Sequence, residues 1–177
     1  MHTLCVYCGS RLGSDPAFAA AAGELGSICA RKGIDIVYGG GRAGLMGTLA
    51  EAALAAGGRV IGIIPQFMEG LELAHPGLTR LEVVNTMHER KHRMATLADA
   101  FVALPGGIGT LEELAEILAW RQLALHHKPV GLLNTNGFYA PLLHFLNSMG
   151  SSDFLPSAMV SELQVAPSAE ELLQRLG

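Results

Sequence analysis

The sequence predicts an α/β protein built on one doubly wound parallel sheet with helices on both faces. Strand-like and helix-like patterns alternate from end to end, the order such a sheet requires. Two strand-to-helix junctions, "YGGGRAGLMG" and "LPGGIGTLEE", are rich in glycine. Half of the 177 residues are hydrophobic, and no linker, repeat or low-complexity tract breaks the pattern, so residues 1–177 read as a single domain.

The first strand is "TLCVY" (3–7), followed by a helix through "FAAAAGELGSICARKG" (18–33). The next pair is "DIVYGG" (35–40) and "GLMGTLAEAALAAGG" (44–58). After the strand "RVIGIIP" (59–65) the pattern turns irregular over 66–78, where Pro76, two glycines and two glutamates suit a loop at an active site. A short "LEVV" (81–84) leads to a helix over 87–98. The apolar run 100–104 reads as a buried strand, and Leu111, Leu114, Ala115, Leu118 and Gln122 fall at helical spacing behind it. "PVGLLN" (129–134), a helix around "APLLHFLNSM" (140–149) and a last helix over 169–176 complete the chain. In open sheets of this kind ligands sit beyond the carboxyl ends of the strands. Functional residues are therefore expected in the turns after Tyr7, Tyr38, Ile64, Val84 and Leu104.

Composition excludes several classes of function. A formal net charge of −4 and an isoelectric point near 5.9 offer polyanions no general attraction, which argues against nucleic acid. No apolar run approaches the ~20 residues that span a bilayer, and the start "MHTLCVYCGS" lacks the pattern of a signal peptide, so a cytoplasmic protein off the membrane is expected. Three cysteines, an odd number, suit a reducing compartment. Cys5 and Cys8 form a C-x-x-C, but Cys5 lies inside a strand and no second ligand pair stands at metal spacing, so these thiols read as structural and no metal is expected.

Residues 104–113 carry the strongest local signal. Thr110-x-x-Glu113 has the form of a capping box, which accounts for the threonine and the glutamate. It does not account for Gly106, Gly107 and Gly109 together, since one glycine turns a chain. A phosphate brought close to bare backbone at a helix start explains the surplus.

The other glycine turn contains Gly39-x-Gly41-x-x-Gly44 between strand and helix, formally the Rossmann-like dinucleotide fingerprint. The following strand offers no acidic residue for a ribose, and the fingerprint normally occupies the first turn. Nucleotide contact ranks above tight helix packing here, and a nicotinamide cofactor below both. No G-x-x-x-x-G-K-[ST] occurs, which excludes a Walker-type site. In "TMHERKHRM" (86–94), Thr86-x-x-Glu89 is again a capping box, and Arg90, Lys91 and Arg93 follow on a helix opening at the same rim. An arginine fork there suits a phosphate or ribose. His126 and His127, near a helix end, read as capping residues rather than metal ligands.

With "MHERKHRM" and "PGGIGTLEE" both in view, the chain resembles the Lonely Guy family of cytokinin-activating phosphoribohydrolases, whose members were often labelled lysine decarboxylases. Met-x-x-Arg-Lys with a methionine three residues on matches Met87, Arg90, Lys91 and Met94; Pro-Gly-Gly-x-Gly-Thr-x-x-Glu matches Pro105 to Glu113. The "CVYCGS" start and the "YGGGRAGLMG" turn are similar to family members too, and the likeness covers nearly the whole chain. It implies hydrolysis of the N-glycosidic bond of a nucleoside 5′-monophosphate, freeing the base and ribose 5-phosphate, without metal or cofactor. It implies Arg90 and Glu113 as the catalytic pair. Substrate contacts are implied for Glu72 and Lys91, for the loop residues Gly107, Ile108, Gly109, Thr110, Leu111 and Glu112, and for Ser10, Gly40 and Gly41. Ile108 stands where a tyrosine is common and Ala119 where a threonine is often found, which bears on base preference.

The decarboxylase label requires a lysine for a pyridoxal phosphate Schiff base, and only Lys32, Lys91 and Lys128 exist. Lys32 closes a helix away from the rim and Lys128 precedes a strand. Two other readings stay open: hydrolysis of plain AMP in purine salvage, and a nucleotide-binding module without turnover. A homodimer or higher oligomer is expected from the apolar fraction, a mean hydropathy of +0.34, the apolar helix of 111–125 and the family's dimers.

Overall fold

The computed structural model describes residues 1–69 and 74–177. Its strands are β1 (Thr3–Tyr7), β2 (Asp35–Tyr38), β3 (Val60–Pro65), β4 (Arg80–Val84), β5 (Ala100–Ala103), β6 (Val130–Leu133) and β7 (Gln164–Ala166). They form one sheet in the order β4-β3-β2-β1-β5-β6-β7, every pair parallel. The inner strands are buried along almost their whole length, as parallel strands covered on both faces must be. The edge strand β4 is the exception, with Arg80 and Val83 exposed.

The helices are α1 (Pro16–Arg31), α2 (Gly44–Ala55), α3 (Gln66–Glu69), α4 (Met87–Leu97), α5 (Ile108–Gln122), α6 (Ala140–Ser151), α7 (Ser157–Ser161) and α8 (Ala169–Leu176). Two apolar cores result. One gathers α1, α2 and α8 around Leu25, Leu49, Tyr38 and Leu172; the other gathers α4 and α5 around Met94, Phe101, Leu114 and Ile117. This is the doubly wound arrangement expected from the alternating pattern.

The differences from the sequence reading are local. A short helix, α3, occupies the start of the stretch read as irregular, and 70–73 lie outside the described residues. The unassigned stretch before the last helix holds α7 and β7, which pairs with β6 through Leu132 and Val165. Both are too short to show a period. The helix placed from Leu111 onward begins at Ile108, with Gly107 as its N-cap. All three cysteines are buried and free, with burial pushing the Cys29 thiol up to about 12.

Candidate active site

The strand order reverses between β1 and β5. The turns after these two strands are bonded together: the Gly9 amide donates to the Pro105 carbonyl at 3.1 Å, and the Gly9 carbonyl accepts from the Leu45 amide of α2 at 3.0 Å. The Tyr139 hydroxyl donates to the Leu104 carbonyl at 2.5 Å and fixes the end of β5. A cavity of about 290 Å³ opens over this junction. Cys8, Gly9 and Ser10 line it from the β1 turn, Met46 from α2 and Met68 from α3. Met87 and Arg90 reach it from α4, and Gly107 to Thr110 with Glu112 and Glu113 from the start of α5.

The start of α5 overturns the capping-box expectation for Thr110 and Glu113. With Gly107 as N-cap and no side-chain cap, Thr110 is the third helical residue, so its side chain is not the one closing the helix. The first amides of α5 stand in the cavity wall, where the positive end of a helix favours an anion. The three glycines divide. A Cβ on Gly106 would fall 2.1 Å from the Thr110 hydroxyl, so packing excludes a side chain there. On Gly107 or Gly109 a Cβ would meet nothing within 4 Å, and neither has a positive φ. The fold itself requires neither glycine.

Arg90 is 5 % exposed. Its Nη2 donates to the Gly39 carbonyl at 3.0 Å, and Nη1 lies 3.6 Å from the Met87 sulfur and 3.7 Å from that of Met68. A guanidinium so enclosed is a fixed positive charge rather than a mobile surface fork. Glu113 lines the same cavity, and its charge acts on the thiols at the end of β1. Burial first and then Glu113 push Cys8 above the ordinary thiol range; for Cys5, burial leads, and Glu113 and Arg90 act in opposite senses. Both thiols are therefore held protonated and inert.

Lys91, the next residue of α4, does not line the cavity. It is 7 % exposed, and its Nζ donates to Glu112 at 2.5 Å and pairs with Glu116 at 3.1 Å. Burial lowers the ammonium pKa, but the two carboxylates more than reverse this and hold it above the ordinary lysine value. The Thr86 hydroxyl accepts from the Glu89 amide at 3.1 Å, while Glu89 reaches back to the Asn85 amide at 2.8 Å; this cap sets the start of α4 and so the height of Arg90. Arg93 points elsewhere, to Glu82 of β4. His126 donates Nε2–H to the Ile117 carbonyl near the end of α5 and accepts the Lys128 amide on Nδ1.

Of the other expected contacts, Ser10, Gly107, Ile108, Gly109, Thr110 and Glu112 line the cavity, with Ile108 82 % exposed. Gly40, Gly41 and Leu111 do not, and Glu72 lies outside the described residues. Gly41 instead bridges Ala74, and Gly39 carries the carbonyl that holds Arg90. Met46 and Met87 stand in the motifs "YGGGRAGLMG" and "MHERKHRM", but the sequence alone assigns neither of them, nor Met68, to the wall of a site.

A parallel α/β sheet with an open, glycine-bared helix start at its switch point is the architecture of nucleotide-binding α/β proteins. The family model described as "Possible lysine decarboxylase" matches residues 46–176. The rice (Oryza sativa subsp. japonica) cytokinin riboside 5′-monophosphate phosphoribohydrolase LOG is 47 % identical over 173 residues, 98 % of this chain and 72 % of that protein. The Arabidopsis thaliana enzyme of the same name, LOG1, is 44 % identical over 173 residues, covering 98 % of this chain and 81 % of its own. The chain belongs to the Lonely Guy family. Among solved structures, the molybdenum cofactor carrier protein of Chlamydomonas reinhardtii shares the fold, with a TM-score of 0.75 at 23 % identity over 98 % of this chain and 94 % of that one. No helix among the described residues is long and apolar enough to cross a membrane.

Proposed function

We propose that this chain hydrolyses the N-glycosidic bond of adenosine-type nucleoside 5′-monophosphates, cytokinin ribosides among them, yielding free base and ribose 5-phosphate. The observation that carries this reading is the pair Gly107 and Gly109. No fold requirement explains them, and they bare backbone in the cavity that also holds Arg90 and Glu113. A 5′-phosphate on the amides at the start of α5 brings the ribose between these two charges. Breaking the bond from C1′ to the base nitrogen leaves positive charge on the ribose, which the Glu113 carboxylate stabilises while orienting the attacking water. Water adds its oxygen to C1′; one of its protons stays on the new C1′ hydroxyl and the other passes to the nitrogen of the departing base. Arg90, fixed by Gly39, holds the ribose-phosphate, so that phosphate binding energy positions the reacting bond.

In this reading Lys91 acts through Glu112 and Glu116 rather than on substrate. The same pairing disfavours a decarboxylase: a Schiff-base lysine must lose its proton, and this one is held charged. Lys128 donates Nζ to the Ala95 carbonyl, and Lys32 caps α1. The chain works as a homodimer or a multiple of it in the cytoplasm. A groove of about 360 Å³ between α5, α6 and α7, lined by Leu111, Leu118, Phe145 and Met149, and the exposed Leu123 and Leu125 support the first, and the three buried free thiols the second. Light scattering at micromolar concentration tests the dimer, and a monomer alone rejects it.

The test of activity is incubation with AMP, N6-isopentenyladenosine 5′-monophosphate and their unphosphorylated nucleosides, with chromatography of the released bases. Cleavage of the monophosphates alone is expected, and Glu113→Gln should lower turnover about a hundredfold or more at unchanged melting temperature. Equal cleavage of the nucleosides, or near-normal turnover by Glu113→Gln, rejects the assignment. Faster release of adenine than of the substituted base selects purine salvage.

A further inference from the structure

A second cavity, of about 400 Å³, adjoins the first and shares Gly9, Ser10, Gly107 and Ile108 with it. Beyond the shared residues the two part company. The first continues past Glu113 and Arg90 to the methionines; the second runs over the start of α1 to Phe18, Phe138 and Arg11. Gly107 lines both, so the two chambers meet at its bare backbone.

We propose that the second chamber is a subsite for the group carried beyond the 5′-phosphate, so that the chain binds dinucleoside 5′,5′-diphosphates. This rests on the nucleotide reading of the first cavity. With the phosphate on the α5 amides and C1′ between Arg90 and Glu113, the base extends away from the phosphate toward Met46, Met68 and Met87. Whatever is attached to the phosphate on its other side leaves across Gly107. There a Cβ would meet no protein atom, so the glycine keeps open a saddle that packing does not require.

The lining suits a second nucleotide half. Phe18 and Phe138 stand edge to face with centroids 5.5 Å apart, and Phe138 is 40 % exposed, offering ring surface to a planar base. Arg11 also lines the chamber, and its guanidinium is suited to a second phosphate or its ribose. The chamber is larger than one phosphate needs and falls within the range of about 300–1,000 Å³ typical of small-molecule sites. Two chambers flanking the switch point of a parallel sheet also match the way such sheets receive two linked nucleotides across that crevice.

Calorimetric titration tests this, with AMP and P1,P2-di(adenosine-5′) diphosphate as ligands and Glu113→Gln as the protein, so that no glycosidic bond is broken. The dinucleotide should bind at least tenfold more tightly than AMP. Adding Phe138→Ala or Arg11→Ala should bring it to within threefold of AMP, with AMP affinity unchanged. A dinucleotide no tighter than AMP, or an advantage that survives both substitutions, overturns the subsite. Failure of AMP to be hydrolysed by the unsubstituted protein overturns the activity instead, and leaves this comparison of affinities standing.

Discussion

Gly39 and Arg90 are fitted to one another: the guanidinium Nη2 donates to the Gly39 carbonyl at 3.0 Å and occupies the space a Cβ on Gly39 would need, 1.9 Å from that position. The glycine after β2 is thus explained by an arginine 51 residues later in the chain. Its turn serves the site by placing a charge.

A Gly39→Ala substitution follows directly. The added methyl forces the guanidinium out of its seat, and overpacking of this kind costs about 1–3 kcal/mol. Turnover of AMP should fall roughly as far as for loss of one preorganised electrostatic group, about a hundredfold. Gly39→Ala combined with Arg90→Ala should regain the lost melting temperature, since the collision is gone, but not the activity. Full turnover by the single variant would show that Arg90 need not hold this position.

Gly109 allows the opposite combination of effects. It is the second residue of α5, in ordinary helical conformation, with open space where a Cβ would stand. Alanine there should raise stability by roughly 0.5–1 kcal/mol, because glycine loses more conformational freedom in a helix. AMP affinity should fall in the same variant as the methyl intrudes on the phosphate. Higher melting temperature with weaker nucleotide binding is the expected outcome; unchanged binding would mean that the bare backbone is not used.

How much of this the residues disclosed in advance depends on range. Alternation of apolar runs with helical spacing is a local property, and it located the six longer strands and most helices. β7 is three residues long and owes its existence to pairing with β6 rather than to any pattern of its own. The surplus glycines pointed to a phosphate, yet Thr110-x-x-Glu113 matches a capping box only if the helix opens at Thr110. The helix opens three residues earlier, with Gly107 rather than Thr110 as its N-cap, held where Gly9 binds Pro105 and where Thr110 packs on Gly106. Lys91 and Arg90 are neighbours in one motif but diverge in space, and only the approach of α5 determines which one meets the carboxylates.

The acid limit of stability should be set in part by Glu82 and Asp99. Glu82 accepts two bonds from Arg93, at 2.8 and 3.2 Å, which outweigh its partial burial and with Arg80 lower its pKa below 4.5. Asp99 accepts the His2 and Thr3 amides at 2.7 and 2.9 Å, and these lower its pKa below 3.8. Depressed carboxylates bind fewer protons folded than unfolded, so their contribution is full above the unfolded values and is lost as pH falls through the folded ones. Melting temperature should be level above these ordinary values and decline below them. Asp99→Asn should lower the plateau and flatten the decline; an unaltered slope in melting scans would refute its part.

Lys91 decides between contact with substrate and support of the site. Its ammonium joins α4 to α5 through Glu112 and Glu116, one residue from Arg90 on one side and flanking Glu113 on the other. If it is a support, Lys91→Met should lower the melting temperature, because Glu116 is left half-buried without its cation. The loss should be about 1–3 kcal/mol, less than for a fully buried pair, since Glu112 is half exposed and regains water. AMP turnover should fall with it while KM moves less than about threefold, the signature of misplaced catalytic charges rather than a lost substrate contact. Adding Glu116→Gln should recover part of the stability by removing the stranded charge. A KM raised tenfold or more at unchanged melting temperature would instead make Lys91 a ligand of the substrate, as the family resemblance implies.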